Sequence, residues 1–107
     1  MQLSDLEPRF LKLEGEGWRC TAIMQDADGV QFQCPKCYAE KGGAAGRHFV
    51  ICWRPHVPRE VAPGPGRWDF RGSSARDLSL VAGSSSVRLR SGCQAHFFVE
   101  AGAIRMV

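Results

Sequence analysis

Two short pairs of metal-ligand residues constrain this chain more than any other feature. Cys34-Pro35-Lys36-Cys37 and Cys93-Gln94-Ala95-His96 each place two such residues three positions apart. A pair at this spacing grips one tetrahedral ion when the backbone between its members turns tightly. Two pairs supply the closed set of four ligands expected of structural zinc. The pairs are separated by 55 residues, far more than in a small zinc finger. A β domain held between them accommodates that, because the cost of closing a loop rises only slowly with its length. The expectation is one structural Zn2+ held by Cys34, Cys37, Cys93 and His96, joining an early strand end to a late hairpin.

The same residues admit other readings. A thioredoxin-like redox Cys-x-x-Cys needs a long helix beginning at the motif to lower the first thiol's pKa. Here the sequence that follows breaks at Gly42-Gly43 and again at Gly46. A catalytic zinc needs an open position for water and a nearby proton carrier. His48, His56 and Glu100 are available for that, but four good ligands leave no vacancy unless His96 faces away. His48 lies eleven residues past Cys37 and is the one histidine that competes with His96 as ligand. Its place before an apolar run reads instead as the border of a strand. Cys20 and Cys52 fall inside apolar runs, and free cysteines are among the most buried residues. Both are expected in the core, and His56, close to two prolines, at the surface.

Size and composition support a metal-stapled fold. A chain of 107 residues is expected to form a single domain over 1–107. A core this small is thin, and 12 glycines and 6 prolines thin it further. An odd count of five cysteines argues for a metal site with spare thiols rather than a disulfide framework. No apolar run approaches the ~18 residues of a transmembrane helix. The opening Met1-Gln2-Leu3-Ser4-Asp5-Leu6-Glu7 lacks the basic-then-apolar order of a signal peptide. The location expected from these features is a reducing cytoplasm.

Helical periodicity is scarce, and short strand-like runs separated by turn residues dominate. Residues 9–13, 18–24, 30–33, 48–53, 68–70, 78–81, 86–90, 96–100 and 103–107 are the strand candidates. The run at 48–53 is continuously apolar and reads as a central strand buried on both faces. Gly102 supplies the positive φ for a closing hairpin. A short helical turn is expected within the first eight residues or near Ala39. Four prolines from Pro55 to Pro65 suggest an exposed excursion. The fold class is therefore mainly β, a small zinc-ribbon-like or barrel-like domain.

Charge is uneven. Residues 1–46 carry five Lys or Arg against seven acids, while residues 47–107 carry nine Arg and no Lys against four acids. Arg suits planar contacts with phosphate, carboxylate and aromatic groups. Trp18, Trp53 and Trp68 with Phe97 and Phe98 could then stack bases of single-stranded nucleic acid. The competing reading places those rings in the core. No Gly-rich phosphate loop, Ser-His-Asp arrangement or paired-carboxylate site is present in the sequence.

Several segments together carry a family resemblance. They are Leu3-Ser-Asp-Leu-Glu-Pro-Arg-Phe10, Gly29-Val-Gln-Phe-Gln-Cys-Pro-Lys-Cys37, Trp68, Asp77-Leu-Ser-Leu80, Gly92-Cys-Gln-Ala-His-Phe-Phe-Val99 and Gly102-Ala-Ile104. In this order they resemble an uncharacterised family of small phage and prophage proteins. Some members carry the label ammonia monooxygenase, which the residues here do not support. The chain departs from the family's Ser-Pro-Ser at Val81-Ala-Gly-Ser-Ser-Ser86. The resemblance implies Cys34, Cys37, Cys93 and His96 as a shared polar cluster and a phage setting, but no reaction. The function expected is non-enzymatic contact with a protein of the virion or host, for example as a decoration, connector or tail component. Nucleic-acid binding through the Arg-rich half and a metal- or thiol-dependent enzyme are the alternatives.

Overall fold

The structure, a computed structural model, describes residues 1–40, 48–64, 66–81, 86–89 and 93–107. Among these described residues, nine strands and one short helix follow in chain order. They are β1 (Arg9–Glu14), β2 (Gly17–Thr21), β3 (Gly29–Gln33), α1 (Pro35–Glu40), β4 (Phe49–Trp53), β5 (Asp69–Arg71), β6 (Ser79–Val81), β7 (Val87–Arg88), β8 (His96–Glu100) and β9 (Ala103–Met106). A 3₁₀ turn over Leu3–Leu6 precedes them, so helical turns form both at the start of the chain and around Ala39. The strands make three antiparallel sheets, ordered β2-β1-β3-β4, β5-β6 and β7-β8-β9. Among the described residues no sheet closes on itself, so the barrel-like form of the expectation is not adopted. No helix among the described residues is long and apolar enough to cross a membrane.

Strand alternation explains how one sheet serves two cores. Successive residues of a strand face opposite sides. Val30 and Phe32 on β3 and Val50 and Cys52 on β4 point into the main core, where they meet Leu3, Leu6, Phe97 and Val99. Leu11 on β1 and Trp53 on β4 point the other way, into a smaller cluster closed by Val57. The Phe32 and Phe97 rings pack in a T-shaped arrangement at 5.9 Å between centroids, joining the three-stranded sheet to the four-stranded one. Each of these fully buried rings contributes about 1.5–3 kcal/mol through burial.

The run at 48–53 departs from expectation in one respect. β4 does use both faces, but it ends the sheet rather than lying in its middle, and Phe49 is exposed. Cys52 is fully buried, whereas Cys20 is exposed because β2 is an edge strand with little packed against it. Trp53, Trp68 and Phe97 are core residues, which leaves Trp18 as the one exposed tryptophan.

The proline-rich excursion is built around a single side chain. Arg67 donates to five carbonyls, those of Val57, Pro58, Val61, Pro63 and Gly66, at 2.7–3.1 Å. Trp53 adds a bond from Nε1 to the Ala62 carbonyl at 3.0 Å. The segment therefore lids the smaller cluster instead of projecting freely.

The closing hairpin turns through Ala101 and Gly102, both at positive φ, as a two-residue turn between antiparallel strands requires. Its tip is buried in hydrogen bonds: Gly102 donates to Leu78 and accepts from Leu3, each at 2.8 Å. The chain start and β6 are thus both pinned to the final hairpin.

Candidate metal centre

The register of β3 and β4 determines which histidine enters the site. Gln33 stands opposite Phe49, and the next step places Cys34 opposite His48, where the Cys34 amide donates to the His48 carbonyl at 2.9 Å. Alternation aligns Cys34 with the inward Val30 and Phe32, and His48 with the inward Val50 and Cys52. The two side chains therefore emerge on the same face at the end of the same pair of strands.

Immediately after Cys34 the chain enters α1, and its first turn returns Cys37 to the same place. Pro35 suits this position, because a helix's first residue needs no backbone donor. From the far end of the sequence, Cys93 arrives just before β8. Gln94 takes a left-handed conformation with φ of 55°, and buried Ala95 follows.

The result is a cluster of Cys34, Cys37, His48 and Cys93, whose ligand atoms all lie within 4.8 Å of one another. Cys34 Sγ lies 3.4 Å from Cys93 Sγ, and Cys37 Sγ lies 3.4 Å from His48 Nδ1. The other ring nitrogen, Nε2, is 3.8 Å from Cys93 Sγ. A tetrahedral zinc with bonds of about 2.3 Å to sulfur and 2.0–2.1 Å to nitrogen has ligand–ligand edges of roughly 3.6–3.8 Å. The Cys34–Cys93 and Cys37–Nδ1 spacings are slightly shorter than those edges, the 3.8 Å spacing belongs to the other ring nitrogen, and the set as a whole lies within 4.8 Å. These four residues could together hold a metal ion.

His96 is not in this cluster, which corrects the fourth ligand expected from the Cys93-x-x-His96 spacing. The reason is again alternation. Phe97 and Val99 turn inward, so His96 and Phe98 face outward, and their rings stack at 6.4 Å on the far side of the sheet. Three of the four expected ligands meet, and the fourth place is taken by His48. The signal that could have identified His48 was the hairpin register, since residues 34 and 48 fall opposite each other once 33 pairs with 49. Gly92, read as easing the approach of the second pair, lies outside the described residues, as do residues 41–47 after the helix.

Backbone amides reach two of the three sulfurs. The amides of Lys36 and Cys37 donate to Cys34 Sγ, and the amide of Ala95 donates to Cys93 Sγ. Lys36 Nζ also donates to the Cys93 carbonyl at 2.8 Å, tying the two halves of the site together through a bond that involves no sulfur. Without a metal the three thiols differ. Burial first, and then the adjacent Cys93 sulfur, push Cys34 up to about 12 against the pull of its amides. Burial, with Cys93 beside it, raises Cys37 as well. Burial also opposes ionisation of Cys93, but the Ala95 amide, the other two thiols and the Lys36 charge together hold it below its ordinary value. An incoming cation completes the deprotonation, because only thiolates ligate.

His56 stands elsewhere. It is exposed, as its setting implied, yet Nε2 reaches Asp28 Oδ1 at 2.7 Å. Glu100 is bound by Arg105 at 2.7 Å on the outer face of the last sheet. Neither is a member of the metal cluster. Comparison with protein-family models, with curated proteins and with solved structures finds no match to this chain.

Proposed function

We propose that this chain is a non-enzymatic module, stapled by one structural zinc ion, that works by contact with a protein partner in a phage or prophage setting. One observation carries the reading. Three cysteines and one histidine from the ends of β3 and β4, from α1 and from the approach to β8 converge within 4.8 Å. Thiolate-rich sets select soft or borderline ions, and the Cys3His combination is a standard structural zinc set. Four donors complete a tetrahedron, which leaves no position for an activated water. Binding free energy at such a site is folding free energy, because the unfolded chain has no site.

Contact as the mode of action draws support from the surface. Among the described residues β2 is an edge strand and carries Trp18, 42% exposed, and Phe49 on the opposite edge strand is 47% exposed. Open strand edges accept further strands. The virion role (decoration, connector or tail) rests on the resemblance to small phage and prophage proteins.

The experiment has two arms. Elemental analysis of purified protein should give one zinc per chain, and chelation should abolish the cooperative thermal transition. Mass spectrometry of purified particles from a host carrying the sequence should then find the protein at stoichiometric levels. A stable, metal-free protein with reduced thiols contradicts the zinc reading, and absence from particles contradicts the virion role.

A further inference from the structure

The histidine that the metal site does not take belongs to a second surface. On the outward face of β7-β8-β9, cross-strand register sets Arg88 opposite His96 and Phe98 opposite Arg105. Partners directly opposite share a face, and residues two apart on one strand do too. All four side chains therefore lie together on the solvent side, while Val87, Phe97 and Val99 fill the core below. The His96 and Phe98 rings stack at an interplanar angle of 29°, and the Arg105 guanidinium lies 4.2 Å above the Phe98 centroid. Beside them Arg88, Leu89, Gln94 and His96 line a cleft of about 560 Å³, within the range of small-ligand sites.

We propose that this face binds single-stranded nucleic acid, with bases stacking on His96 and Phe98 and backbone phosphates pairing with Arg88 and Arg105. The chemistry on the face selects that partner. Flat rings carried on a sheet offer π-surfaces to unstacked bases, and interleaved arginines offer planar charge to phosphate. Residues 86–107 contain three arginines and one acid, and that acid, Glu100, is already paired with Arg105 through Nε at 2.7 Å. Gln94, at positive φ on the cleft wall, adds an amide able to donate to and accept from a base edge. A duplex keeps its bases stacked internally and cannot use the rings. The inference goes beyond the metal reading and stands or falls without it.

The test is fluorescence anisotropy of a labelled 20-nucleotide oligothymidine with the full chain as purified. Binding should be measurable at about 50 mM salt, with a log–log salt slope near −1.4 for two phosphates. Arg88→Gln should reduce that slope by about half. The paired variant Arg105→Gln/Glu100→Gln should do the same, while avoiding an unpartnered acid. Phe98→Leu and, separately, His96→Ala should each weaken binding about tenfold with the slope unchanged, because stacking carries no counterion release. Thermal melting identifies any variant that fails to fold, and the arginine variants, being at the surface, keep the test open in that event. No binding at about 50 mM salt overturns the proposal. So does equal affinity for a duplex of the same length, or an affinity and slope that survive both arginine variants.

Discussion

Lys36 donates from Nζ to the carbonyl of Cys93 at 2.8 Å, bridging two parts of the site across a sequence separation of 57. The bond sets the direction from which Cys93 approaches, and the ammonium charge favours the Cys93 thiolate. Interactions just outside a ligand set commonly contribute about 10–100-fold in metal affinity. Lys36→Met should therefore weaken zinc binding by roughly that factor while preserving stoichiometry at saturating metal. Competition against a chromogenic chelator measures it, and an unchanged affinity would show that the bridge is incidental.

Of the described glycines, Gly102 has the closest surroundings. It has φ of 79°, and a Cβ there would fall 1.9 Å from the Arg76 carbonyl oxygen. Gly102→Ala should destabilise the domain by at least ~2 kcal/mol, from backbone strain plus displacement of the Arg76 segment. Gly17→Ala is the control, since nothing lies within 4 Å of its Cβ position and its φ is not in the left-handed region. Urea denaturation of the two variants should separate them clearly.

Asp28 gives the fold an acid limit. It accepts from the Leu13 amide and from His56, each at 2.7 Å, with Lys12 at 3.9 Å. Burial works against the charged carboxylate, but these partners outweigh it and hold its pKa below the usual value. A depressed folded pKa means stability that is present above the unfolded value and is lost as pH falls through the folded one. Asp28→Asn should thus cost about 1–3 kcal/mol near pH 6. The gap from wild type should close below about pH 4, as the native carboxylate protonates. A gap independent of pH would contradict this.

Arg67 holds the lid over the smaller cluster through five carbonyls. A lysine cannot reproduce that fork. Arg67→Lys should open the segment locally and speed tryptic cleavage after Arg59 by about tenfold, with little change in global melting. Cleavage at the wild-type rate would show that Trp53 and Val57 suffice.

The contrast between what was legible in the sequence and what was not follows from the range of each interaction. Strand positions could be read because alternation is local, and each of the nine runs has a strand within or overlapping it. The Cys34–Cys37 knuckle could be read because one turn closes it. The choice between His48 and His96 could not, since it depends on the register of β3 with β4 and on which side β8 turns toward the core. Cys20 and Cys52 look alike in sequence. They differ because β2 ends a sheet with little against it, whereas Cys52 faces the core. The lid around Arg67 was hidden for a similar reason, as five carbonyls converging on one guanidinium leave no composition signal. Of the aromatics expected to stack bases, Trp53, Trp68 and Phe97 fill the core while Trp18 and Phe98 lie outside it, Phe98 beside His96 through strand alternation.

The central claim is tested most directly by zinc stoichiometry of wild type, His48→Ala and His96→Ala, by native mass spectrometry with affinities from chelator competition. The account predicts one tightly held zinc in wild type and in His96→Ala, and binding at least about 100-fold weaker in His48→Ala, beyond what an outer contact alone would cause. Loss of zinc from His96→Ala with full retention in His48→Ala would contradict it.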